Sequence, residues 1–221
     1  MTYPNAYSGV KKVFTAQIIM LISVILAFIS AIISSGFIPN DSSVEAAGQS
    51  MLAIIGTIAL IVGVVSIIAF IINLVGLSQA GEDESNFKTA FILTLLALVF
   101  SIIQSVLSNN VRTEAGGICG VVGEILQFLV ILYVILGIIS LGSKLNNEKL
   151  MKRGRSLLTL IAIFLIIGIV INVITSFVLV NPSENTLVIL GVVAIIGGLL
   201  RVIAYIVYLT LLAKATKALK E

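Results

Sequence analysis

A chain of 221 residues that is 59% hydrophobic and 10% charged, with a mean hydropathy of +1.23, cannot cover a water-facing surface with polar side chains, so its solvent is lipid. A net charge of +3 would suit nucleic acid, but the cations sit at the ends of apolar runs, as membrane anchors do, and not on one recognition face. The single cysteine, Cys119, excludes an intramolecular disulfide and any multi-cysteine metal site, and the absence of histidine removes the usual general base and the commonest zinc ligand.

Met1 to Gly9 is a short polar lead, followed by Lys11-Lys12 and an apolar run over 13–38. The start resembles a signal peptide, yet the run is nearly twice the about 7–15 residues of a cleavable apolar region, so it reads as an uncleaved first span. Further spans are expected at 50–78, 87–108, 117–143, 156–180 and 186–213. Each exceeds the roughly 20 residues that cross about 30 Å of hydrocarbon. The runs are continuous and do not alternate, which favours helices over a barrel. The expectation is an all-α polytopic membrane protein, a six-transmembrane-helix bundle forming one integral membrane domain over 1–221.

Lys144 to Arg155, between the fourth and fifth runs, holds five of the thirteen basic residues. With six spans it shares a side with the N-terminus, 79–86 and the C-terminus. That side collects Lys11, Lys12, Lys88, Lys144, Lys149, Lys152, Arg153, Arg155, Lys214, Lys217 and Lys220. The opposite loops hold Arg112 alone, and Arg201 lies inside the sixth run. Such a bias places both termini in the cytoplasm. Absence of tryptophan and histidine with abundant isoleucine points to a prokaryotic plasma membrane.

A faint repeat joins Lys88 and Ile92-Leu-Thr-Leu-Leu-Ala-Leu98 to Arg153 and Leu157-Leu-Thr-Leu-Ile-Ala-Ile163. Phe70-Ile-Ile72, Tyr133-Val-Ile135 and Tyr205-Ile-Val207 recur in the even spans. Three repeated helical hairpins fit this, and so do chance matches in a small apolar alphabet.

In lipid, helices associate through small residues that let backbones approach. Span one carries Ser23, Ala27, Ala31 and Ser35 at four-residue spacing, and span two carries Gly56, Ala59, Gly63, Ser66 and Asn73. Both ridges are expected to pack on a neighbouring helix, of the same chain or another.

Glu124 and Arg201 are the two charges that loops do not explain, each costing about 2.5–3.5 kcal/mol at a helix centre. Glu124 lies about 10 Å deep and Arg201 about 22 Å, which is too far apart for a direct ion pair. Gln127 shares a helix face with Glu124, while Gln104 and Asn172 fall at nearby depths; together they could line an outward polar vestibule. Tyr205 shares a stripe with Arg201. The plainer reading makes the amides interhelical glue, Glu124 interfacial and Arg201 a snorkelling cation.

Other signals are weaker. Gly116 to Gly123 lacks dinucleotide spacing and a preceding strand. Glu82-Asp83-Glu84 lacks the alternation of a calcium loop and instead suits the positive end of the following helix. Asn40-Asp41-Ser42 fits a glycosylation acceptor only in a secretory eukaryote. Cys119 reads as a small packing residue. Lys214, Lys217 and Lys220 suit anionic headgroups. No cofactor or metal set is found, and no serine–histidine pair, aspartate pair or phosphate loop supports an enzyme. Two functions follow as expectations. One is an accessory or partner-binding subunit of a membrane complex, meeting lipid and either another copy of itself or a different membrane protein. The alternative is a small channel or carrier for an ion or solute, using Glu124 and Arg201.

Overall fold

A computed structural model describes residues 3–36, 45–109, 113–178 and 184–220, with side chains over 3–30, 56–107, 119–163 and 202–220. Among the described residues there are six α-helices and no strand: α1 Pro4–Gly36, α2 Glu45–Asp83, α3 Ser85–Asn109, α4 Thr113–Lys144, α5 Glu148–Val178 and α6 Glu184–Lys220. Five described stretches are long and apolar enough to cross a membrane, one each in α1, α2, α3, α4 and α6. The run expected over 156–180 falls in α5, whose side chains beyond residue 163 lie outside the described set.

Helix continues past the apolar runs at the end that carries the basic residues. The lead before Val13 is helical from Pro4, where the missing N–H and fixed φ of proline suit a first helical position. The segment 79–86, expected as a loop, is helix except for Glu84, which alone joins α2 to α3. Gly81 makes so short a reversal passable, because a Cβ there would stand 3.1 Å from the Lys88 backbone.

The link from α4 to α5 is equally compact. Asn146 has φ 51° and follows the last turn of α4. Its N–H bonds the Ser143 carbonyl and the Asn147 N–H bonds the Gly142 carbonyl, the pattern that satisfies the last carbonyls of a helix. Asn147 then accepts the Leu150 N–H at 3.1 Å and caps α5.

Each helix packs on the next in chain order, and α6 returns to α1, closing a ring. The buried core comes from the first turns of α1, α3 and α5 and the last turns of α2, α4 and α6, including Val10, Leu77, Phe87, Ile138, Leu157 and Leu212. Both chain ends therefore lie at one end of the bundle, the basic end. Two glycines let α1 and α2 touch there. A Cβ on Gly9 would fall onto the Gly76 carbonyl oxygen, and one on Gly76 would reach within 2.7 Å of the Gly9 oxygen. Farther from that end, Val24 to Ile29 of α1 and Ser101 to Val106 of α3 are exposed at every position. Six successive positions cover every direction around a helix, so much of the surface of these turns is left open by the described residues.

Candidate functional site

Of the residues expected to line an outward polar vestibule, Gln104, Glu124 and Gln127 lie on described stretches of α3 and α4. Glu124 and Gln127 are exposed on α4, and Gln104 is exposed on α3. Gln104 lies against Gly120, whose added Cβ would come within 2.6 Å of the amide nitrogen. Gly120 and Glu124 share a face one turn apart. Even so, no hydrogen bond or ion pair joins Gln104, Glu124 and Gln127 among the described residues. Asn172 and Arg201 have side chains outside the described set, as do Ala31 and Ser35, and Asn40 and Arg112 lie outside it too.

Tyr205 is half-buried on α6. Its hydroxyl is 2.8 Å from both the backbone oxygen and the side-chain oxygen of Gln17, tying α6 to α1. The buried Tyr208 stands beside it with ring centroids 6.4 Å apart. Of the small-residue ridges, Ser23 is buried and donates to the Ile19 carbonyl. Ala27 is exposed, and a Cβ on Gly56 or Gly63 would meet nothing within 4 Å. Within the chain, the backbones of α1 and α2 come close at Gly9 and Gly76.

Among the described residues a dense polar cluster stands at the basic end, where it brings Glu84 and Asp83 to Lys144 and to α1. Glu84 is 6% exposed and pairs with Lys144 at 2.6 Å. Its carboxylate also accepts from Ser140 Oγ at 2.8 Å and from Asn86 Nδ2 at 2.9 Å. Burial by itself would raise the Glu84 carboxyl, but the hydrogen bonds from Lys144 and Ser140 and the lysine charge hold it below its ordinary value. Lys144 reaches further, donating to the Asp83 carbonyl and standing 5.8 Å from the Tyr3 ring centroid.

Asp83 serves α1 and not α3. Its Oδ2 accepts the Ala6 N–H at 2.7 Å, in the first turn of α1, where an unpaired donor and the helix dipole both favour an anion. One turn back on α2, Gln79 Oε1 accepts from Lys12 at 2.8 Å and Ser8 at 3.2 Å. The adjoining ends of α1, α2, α3 and α4 are thus fastened by charged and amide groups at the rim of the apolar core. The cluster 82–84 had suggested a dipole partner, but which helix it serves depends on the fold. This arrangement can hold helices in register.

Set against models of protein families, curated proteins and solved structures, the chain matches none of them.

Proposed function

We propose that this chain is a partner-binding or accessory subunit of a membrane complex, held in a prokaryotic plasma membrane with both termini in the cytoplasm. What supports a membrane setting is the set of helices long and apolar enough to span one. What supports orientation is the basic end, where the cations gather beside both chain ends.

The observation that carries the partner reading is surface left open within apolar helices. A Cβ on Gly56 or Gly63 would meet nothing within 4 Å among the described residues, and Val24 to Ile29 of α1 are exposed at every position. Lipid covers such turns, but glycine faces gain most when another helix backbone lies on them. Glu124, exposed on α4, gains likewise from a polar partner across such an interface.

A photocrosslinking residue at the exposed Ile67, one turn from Gly63 on the same face, tests this in native membranes. One stoichiometric protein adduct is expected, and adducts to lipid alone would contradict it. Glu124→Gln and Arg201→Leu should not create or abolish a solute flux in reconstituted vesicles; a flux lost in both variants with folding retained would instead establish a carrier.

A further inference from the structure

A groove of about 570 Å³ runs between α5 and α6 at the basic end. Its rim carries Lys152 and Arg153 from α5 and Lys214 from α6, and below them lie Leu157, Leu160 and Val207. Leu160 is two turns past Lys152 and Val207 two turns before Lys214, so the apolar floor extends about 10 Å from the cationic rim toward the bundle centre. No acidic residue lines the groove. None of the three cations takes part in an ion pair among the described residues; Lys144 is engaged instead by Glu84.

We infer that this groove is a binding site for an anionic phospholipid, its phosphate held by Lys152, Arg153 and Lys214 and an acyl chain lying along Leu157, Leu160 and Val207. Two properties select a lipid over free phosphate. Three unpaired cations at headgroup level complement a phosphate, whereas the floor beneath offers only hydrocarbon to whatever lies there. A soluble anion would leave that floor uncovered. Arginine adds a fork that grips two phosphate oxygens, which lysine alone does not. The Ser156 and Thr210 hydroxyls already donate to the Lys152 and Val207 carbonyls, so the cations carry the recognition. The inference stands independently of whether a protein partner binds elsewhere.

The test uses the full chain purified in neutral detergent and exchanged into vesicles of phosphatidylcholine, with or without phosphatidylglycerol. Retained lipid is counted by native mass spectrometry. The wild type should retain phosphatidylglycerol preferentially. Each of Lys152→Gln, Arg153→Gln and Lys214→Gln should weaken retention about fivefold, and the triple variant about 100-fold, with the thermal unfolding midpoint unchanged. The control triple Lys11→Gln, Lys88→Gln and Lys149→Gln, exposed cations outside the groove, should retain lipid as the wild type does. Equal retention by wild type and groove variant would overturn the site, as would equal loss in the control. Displacement of the lipid by millimolar inorganic phosphate would overturn the lipid assignment.

Discussion

Glu84 and Lys144 meet at 2.6 Å across the junction of α2, α3 and α4, the carboxylate 6% exposed and the lysine 40%. This asymmetry determines which substitution is worse. Lys144→Met leaves a buried carboxylate without its counter-charge, whereas Glu84→Gln leaves an exposed lysine that water solvates. A fully buried pair broken from one side costs about 3–5 kcal/mol, and the solvation of Lys144 brings this down to about 1–3 kcal/mol. Unfolding midpoints in detergent should rank wild type above Glu84→Gln and Glu84→Gln above Lys144→Met.

The same carboxylate gives the bundle a signature in acid. Its value is lowered in the folded state below the ordinary 4.5. A group of that kind stabilises the fold above its unfolded value, and the contribution disappears as pH falls through the folded one. The stability gap between wild type and Glu84→Gln should be flat from neutral to weakly acidic solution and shrink below about pH 4.5. A gap that widens toward acid would contradict the assignment.

Gly76 and Gly63 lie on the same helix and should respond oppositely. Gly76→Ala drives a methyl onto the Gly9 backbone, which cannot turn aside as a side chain could. Overpacking of this kind costs about 1–3 kcal/mol, sometimes more, and the unfolding midpoint should drop accordingly. Gly63→Leu meets open space, so the isolated chain should unfold as the wild type does while photocrosslinking to a partner is lost.

At the α4–α5 turn, Asn146→Gly should be neutral or slightly stabilising. Asn146→Val should cost about 1–2 kcal/mol, because a branched side chain does not tolerate the left-handed conformation. Thermal unfolding of the two variants checks this, and equal behaviour would contradict it.

Tyr205→Phe removes the clasp between α6 and α1 without altering volume. Hydrogen bonds between membrane helices contribute about 0.6 kcal/mol on average, so a fall of roughly that size is expected in the unfolding free energy. The change should be absent when Gln17→Leu is already present only if the side-chain oxygen is the partner that matters, since the backbone oxygen remains available in that variant.

Helix content was legible because long apolar runs leave the backbone no other way to satisfy itself in lipid. The gathering of cations at one end was legible as well. The ends of the helices were less so. The segment before Val13 and the segment 79–86 are polar and read as lead and loop, yet their hydrogen bonds to Asp83, Gln79 and Lys144 make helical turns useful there. Which glycines meet a helix of the same chain was not legible, for a related reason. Spacing picks out Gly56 and Gly63 as readily as Gly76, and only the crossing with Gly9 distinguishes them. Tyr205 carried no sequence mark of its partner, because Gln17 is 188 positions away.

Sidedness of the two chain ends tests the account most directly. In a Cys119→Ala background, a single cysteine placed at either terminus is exposed to a membrane-impermeant maleimide in sealed cells and again after lysis. Both sites should label only after lysis, which places the Glu84–Lys144 end and its cations in the cytoplasm. Labelling of either site in intact cells would contradict that orientation.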